Sequence, residues 1–243
     1  MCLILFAVQP NPEYRLVIAA NRDEFYRRPA EPADRWPDAP GVLAGRDKEM
    51  GGTWLGINEN GRFAAVTNFR EDPPAILPPR SRGELPAGFL SSDEAAISYS
   101  EALTASANDY RGFNLLVADE QSVVYSCNRS GKPRALQPGC YGLSNQVLDC
   151  NWPKVTDGRG QLKELVERKQ GRLSEHLFEI LMGSGDTREF SNSFINGEEY
   201  GTRAATVVLI RQDGEIFFEE RTFGANGIPL GTASFAISRN GGS

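Results

Sequence analysis

Cys2-Leu3-Ile4-Leu5-Phe6-Ala7-Val8 breaks at Gln9-Pro10, and after Asn11-Pro12-Glu13 the chain resumes as Arg15-Leu16-Val17-Ile18-Ala19-Ala20-Asn21-Arg22-Asp23-Glu24. Two short, almost purely apolar runs separated by a proline-rich break read as buried β-strands, residues 2–8 and 15–20, joined by a turn. With the turn centred between Asn11 and Pro12, an antiparallel pairing sets residue 2 opposite about residue 21. The thiol of Cys2 and the polar run Asn21-Arg22-Asp23-Glu24 then meet at one end of a sheet.

Outward from this hairpin, Pro29–Gly45 carries four prolines and reads as a surface loop. Strands follow at Thr53–Asn58 and Arg62–Asn68, with Glu59-Asn60-Gly61 as a hairpin turn, since Asn and Gly tolerate positive φ. Asp72–Pro79 is a second proline-rich loop. Ser91-Ser92-Asp93-Glu94 supplies a helix cap before a helix over Ala95–Ala107. Strands are predicted at Phe113–Ala118, Ser122–Cys127 and Gly139–Asn145, and helices at Lys154–Lys169 and Leu173–Leu181. The strands Thr206–Arg211 and Glu215–Phe223, turned by Gln212-Asp213-Gly214, close the pattern. Strands and helices come in blocks rather than in βαβ alternation, which favours an α+β architecture of antiparallel sheets covered by helices.

The chain has 243 residues, 40% of them hydrophobic, with 26 Lys and Arg against 32 Asp and Glu. That length suits one large domain or two small ones with a real core. A net charge of −6 argues against nucleic acid, which calls for a basic stripe. The one histidine, His176, excludes multi-histidine zinc sites. Cys2, Cys127, Cys140 and Cys150 share no CxxC spacing, so no metal site is expected. The first apolar run is too short for a signal peptide and lacks a basic start. No stretch approaches the roughly 20 apolar residues of a membrane span. A cytoplasmic protein with reduced thiols is expected.

Five features can carry chemistry. Cys2 follows the initiator methionine directly. Trimming of Met1 leaves Cys2 with a free α-amine, a group that titrates near about 7.7–8.0 and can take the thiol's proton, so nucleophile and base share one residue. The alternative is a small apolar residue starting a strand. Arg22 can hold a thiolate or a substrate carboxylate, and Asp23 can anchor the α-ammonium; the alternative is a strand-end ion cluster. Gly51-Gly52-Thr53-Trp54-Leu55-Gly56 leads into a strand closed by Asn68 and Arg70. Asn145 ends another apolar strand, where its amide can donate to a developing oxyanion. Tyr200-Gly201-Thr202-Arg203 enters the last strand pair. Taken singly, each reads more readily as structural: Cys2 as a small apolar strand residue, and the others as polar strand ends.

Together these segments resemble the NRDE family, also called the transport and Golgi organisation family. The matching residues are Met1-Cys2, Asn21-Arg22-Asp23-Glu24, Gly51 to Gly56, Thr67-Asn68-Phe69-Arg70, Gly142-Leu143-Ser144-Asn145, Trp152-Pro153-Lys154-Val155 and Tyr200-Gly201-Thr202-Arg203. A more distant resemblance reaches the choloylglycine hydrolase and penicillin V acylase group of N-terminal nucleophile hydrolases. It rests on Met1-Cys2, on Asn21-Arg22-Asp23, and on the Gly56-Ile57-Asn58-Glu59-Asn60-Gly61 hairpin.

The resemblance implies a single domain over residues 1–243 with a four-layer αββα sandwich. It implies amide hydrolysis through an acyl-enzyme, with Cys2, Asp23, Asn68, Asn145 and Arg203 as catalytic residues. Asn68 and Asn145 take the oxyanion role, and Asn21, Arg22, Glu24, Trp54 and Arg70 are candidates for holding substrate. The hydrolases carry an arginine just before their Asn-x-Asp. Ala20 stands there in this chain, and Arg22 lies two residues along. Two functions follow from the resemblance: a cysteine hydrolase of a non-peptide amide in a small or lipid-like substrate, or a non-catalytic protein that binds and moves haem or acyl-CoA. Neither requires a cofactor, and haem enters only as a bound ligand. A purely structural interaction protein would explain the composition but not the polar strand ends.

Overall fold

The computed structural model describes residues 2–71, 80–168 and 171–238. In chain order its elements are β1 (Leu3–Val8), β2 (Tyr14–Phe25), β3 (Ala30–Arg35), β4 (Val42–Asp47), β5 (Leu55–Asn58), β6 (Phe63–Asn68), α1 (Glu84–Leu90), α2 (Ala96–Ala102), β7 (Phe113–Ala118), β8 (Val123–Cys127) and β9 (Arg134–Ala135). They continue with β10 (Gly139–Leu143), α3 (Pro153–Glu167), α4 (Leu173–Leu181), β11 (Tyr200–Arg211), β12 (Ile216–Phe223) and β13 (Pro229–Ile237). Two compact units result. One gathers the chain up to Arg27, Gln137–Ser144 and the chain from Leu148 on; the other gathers Arg28–Leu136 and Asn145–Val147.

The first unit is built on a six-stranded sheet of order β10-β1-β2-β11-β12-β13, antiparallel at every pairing. The β1–β2 hairpin forms, but Leu3, not Cys2, sits opposite Asn21, one residue from the expected register. The turn itself sets this shift. Asn11 Oδ1 accepts the amides of Glu13 and Tyr14, and the Gln9 amide closes onto Arg15 O at 2.9 Å, with Gln9 at φ 45°. In a strand pair a one-residue slip exchanges the two faces. Leu3, Leu5, Ala7, Val17 and Ala19 therefore share one face with Asn21, and this face packs on Val155 and Leu162 of α3 and on Leu177, Phe178 and Leu181 of α4. Gly158 lets α3 come this close, because a Cβ there would lie 2.7 Å from a Leu5 methyl.

The second unit holds a seven-stranded antiparallel sheet of order β3-β4-β5-β6-β7-β8-β9. Its core joins Val42, Ala44, Ala64, Leu115 and Val117 to Leu85, Phe89 and Leu90 of α1 and Ala96 of α2. The expected loop Pro29–Gly45 is corrected here, because β3 and the start of β4 lie within it. Pro32 falls in the register break between Glu31 and Asp34 on an edge strand, where a missing N–H costs no ladder bond. α1 was not anticipated, since Pro86 argues against a helix; it lies in the first turn, where no intrahelical N–H is needed. The helix expected over Ala95–Ala107 is α-helical only to Ala102 and then tightens into a 3₁₀ helix over Leu103–Asp109. No side chain of Ser91–Glu94 caps it. Asp119 instead accepts the Ala96 amide at 2.7 Å. The expected loop Asp72–Pro79 and the end of the helix at Lys169 lie outside the described residues.

The glycines before β5 have a packing reason. Gly52 lies against the backbone of Gly83, so that a Cβ would fall 2.4 Å from the Gly83 carbonyl, and the Thr53 amide donates to that same oxygen at 3.0 Å. Gly52→Ala must push two backbones apart, and a loss of about 2–3 kcal/mol is expected. A thermal melt of G52A at the wild-type midpoint would contradict the close approach.

Candidate functional site

Cys2 stands just before β1, half-buried. Its carbonyl oxygen accepts from Ser144 Oγ at 2.5 Å and lies 3.5 Å from Lys154 Nζ. These two donors arrive because β10 pairs with β1, Ile4 opposite Leu143, so Ser144 emerges beside Cys2. Pro153 starts α3 and puts Lys154 in its first turn, where the side chain is 2% exposed.

β2 runs on to Phe25, beyond the expected Ala20, and carries Asn21 to Glu24 in the sheet opposite β11. Asn21 donates both Nδ2 hydrogens, to Leu181 O and Ser193 O at 2.8 Å each, tying the end of α4 and a later loop to the strand. Asp23 is buried. Its Oδ1 accepts from Thr202 Oγ1 at 2.7 Å, and its backbone carbonyl accepts from Tyr200 Oη at 3.0 Å. Burial pushes the Asp23 carboxyl above its ordinary value, against the Thr202 hydrogen bond and the charge of Lys154. Burial likewise pushes Lys154 below its ordinary value, against the attraction of Asp23, Cys2 and Cys150.

Arg22 is buried opposite Ala204, and half-buried Glu24 accepts the Phe25 amide. Arg203 is the residue left over where the β2–β11 register shifts between Thr202 and Ala204. Such a bulge re-aims a side chain, and the guanidinium donates to Phe25 O at 3.3 Å. The first unit thus brings Cys2, Asn21, Arg22, Asp23, Glu24 and Arg203 to the joined ends of β1, β2 and β11.

In the second unit, Asn68 closes β6 and is exposed, and buried Asn145 donates from Nδ2 to Asn68 O at 2.8 Å. The Arg70 amide returns the tie by donating to Asn145 O at 2.8 Å, so Asn68, Arg70 and Asn145 form one local cluster. Trp54 O accepts the Val66 amide at 2.9 Å beside β6, and its ring lies against Gly45, where a Cβ would fall 2.2 Å from the indole.

The sequence reading missed Ser144, Lys154 and Thr202 as parts of this arrangement. Lys154 carried a usable signal, a cation in the first turn of a helix, where the macrodipole disfavours it, on the side that also carries Val155. His176 is half-buried in α4. Among the described residues no group of three His, Cys, Asp or Glu could hold a metal ion, and no helix is long and apolar enough to cross a membrane.

Two antiparallel sheets with few helices, and a cysteine at the head of the first strand, define an α+β protein with the N-terminal nucleophile hydrolase fold. The likeness to solved structures shows the same fold. An N-acylethanolamine-hydrolyzing acid amidase ortholog from Caenorhabditis elegans superposes with a TM-score of 0.51 at 10% identity, covering 86% of this chain and 92% of its own. A cysteine-to-alanine mutant of the conjugated bile acid hydrolase from Clostridium perfringens gives 0.53 at 10% identity, covering 100% and 94%. Within that fold the chain belongs to the Transport and Golgi organisation 2 family, which it matches over residues 1–225. The Transport and Golgi organization protein 2 homolog of Bos taurus is 38% identical over 257 residues, an alignment covering 91% of this chain and 93% of that protein.

Proposed function

We propose that this chain is a cysteine hydrolase of a non-peptide C–N bond in a small or lipid-like amide, with Cys2 as nucleophile once Met1 is removed. The observation that carries the reading is the setting of Cys2. A half-buried thiol heads a core strand, its own carbonyl is held by Ser144 and Lys154, and buried Asp23 lies within reach of the Lys154 charge. A cysteine that served only to start a strand would need no buried lysine at its carbonyl. The names of the two structural neighbours, an N-acylethanolamine-hydrolyzing amidase and a conjugated bile acid hydrolase, favour an acyl amide as substrate.

In this mechanism the Cys2 α-amine takes the thiol proton, and sulfur attacks the carbonyl carbon as the carbonyl π pair moves onto oxygen. The intermediate collapses with C–N cleavage, and the α-ammonium gives its proton to the leaving nitrogen. Water, deprotonated by the same amine, then attacks the thioester. The C–O bond forms, the C–S bond breaks, and the thiol is regenerated.

The test is N-terminal mass analysis of the purified chain, followed by a panel of N-acyl amides and acyl thioesters. Loss of Met1 and turnover of at least one amide are expected. Retained Met1 removes the α-amine from the mechanism. Saturable calorimetric binding of acyl-CoA or haem, with no turnover of any panel member, replaces the hydrolase reading with the binding one.

A further inference from the structure

We propose that Lys154 is the positioning residue of the Cys2 site: its ammonium holds the cysteine's carbonyl and supplies the field in which thiol and α-amine exchange their proton. The inference rests on the hydrolase reading for its purpose but not for its test.

Three observations converge on it. Lys154 is 2% exposed, with its Nζ 3.5 Å from the Cys2 carbonyl oxygen. That oxygen is also the acceptor for Ser144 Oγ, so donors from two separate segments fix the backbone of one residue. The lysine sits in the first turn of α3, where the helix dipole opposes a cation. A buried cation at such a place is costly, and a methionine or leucine would fill the space beside Val155 without that cost. Against that cost stand the Cys2 carbonyl, the Trp152 ring at 5.9 Å and the attraction of the Asp23 charge on β2, while burial still holds the lysine below its ordinary value.

A cation facing a thiol and an amine together favours thiolate over thiol and free amine over ammonium. Those are the two forms that attack and proton transfer require.

The experiment needs no substrate. The full chain is alkylated with iodoacetamide across a pH series, and carbamidomethylation of Cys2 is followed by peptide mass mapping, which separates it from Cys127, Cys140 and Cys150. The sulfur displaces iodide, so the rate tracks thiolate. Lys154→Met keeps the length and removes the charge, and its inflection is expected about one pH unit above wild type. Asp23→Asn leaves the lysine uncompensated and moves the inflection down. The double variant falls between the two. A loss of packing alone would not sort the variants by the sign of the charge removed. An unmoved inflection in K154M, or both single variants shifting in one direction, overturns the proposal. Should K154M fail to fold, Lys154→Gln is titrated in its place: an upward shift supports the role, and an unmoved or lowered inflection overturns it. An unmoved profile beside intact wild-type turnover removes Lys154 and leaves the hydrolase reading standing. A sorted profile without any turnover does the reverse.

Discussion

Cys2→Ala lowers turnover of the best amide in the panel by at least about 10³-fold and leaves the thermal midpoint close to wild type. The magnitude follows from removing the atom that forms the covalent bond; residual activity then comes only from binding and polarisation of the substrate. Stability should hold because the side chain is half-buried and makes no contribution to the apolar cluster that Leu3 and Leu5 build with α3. Its carbonyl, which Ser144 and Lys154 hold, is backbone and survives the substitution. Cys2→Ser separates nucleophile from position. The α-amine and the main-chain contacts remain, while the hydroxyl is a far weaker nucleophile than the thiol, so its activity should fall between wild type and alanine. The measurement is kcat/KM for the three proteins beside a melting curve for each. Turnover that survives C2A at wild-type level sinks the nucleophile assignment outright.

What was legible in the sequence followed from apolar pattern. Leu3–Val8 and Leu16–Ala20 are unbroken apolar runs, and both form core strands. Leu173–Leu181 keeps helical spacing and is helical over that same span. Glu59-Asn60-Gly61 turns as expected, with Gly61 at φ 74° supplying the positive angle. The failures have separate causes. The β1–β2 register depends on where the Asn11 side chain closes the turn, and no count of residues between strands reveals that. β3 was hidden by prolines that an edge strand tolerates. β13 was hidden because it is largely exposed, pairs only with β12, and so carries no apolar alternation. At the site, Cys2 was visible from its place directly after the initiator methionine, and Asp23 and Asn145 as polar residues following apolar runs. Lys154 and Thr202 were not, because their importance lies in contacts with residues well over one hundred positions away. Family resemblance marked the segments that contain them without saying what those side chains touch.

Asn114→Ala is expected to cost about 3 kcal/mol. This residue of β7 is fully buried. Its Nδ2 donates to Thr67 Oγ1 at 3.1 Å and to Gln146 O at 3.0 Å, while its Oδ1 accepts from Tyr125 Oη at 2.8 Å. One amide therefore ties β6, β8 and the segment Asn145–Val147 to the middle of the seven-stranded sheet. Each bond lost is worth about 1 kcal/mol net, and the vacated volume in a packed interior adds to the loss. For a chain of this length, about 3 kcal/mol corresponds to a midpoint lower by roughly 6–12 °C. Tyr125→Phe removes only one of the three bonds and keeps the ring, so about 1 kcal/mol is expected from it. The Asn114 loss must exceed the Tyr125 loss if the amide is the hub rather than one bond among many. The consequence reaches the candidate site through a single residue. Gln146, which Asn114 holds, follows Asn145 directly, and Asn145 is the donor to Asn68 O. Hydrogen exchange of the Arg70 amide, which donates to Asn145 O, reads that link. Its protection should fall in N114A at temperatures well below the melt, whereas the Asn58 amide in the β5–β6 turn stays protected. Equal loss at both amides would mean that the variant loosens the whole unit, and that the tie to Asn145 is not specific.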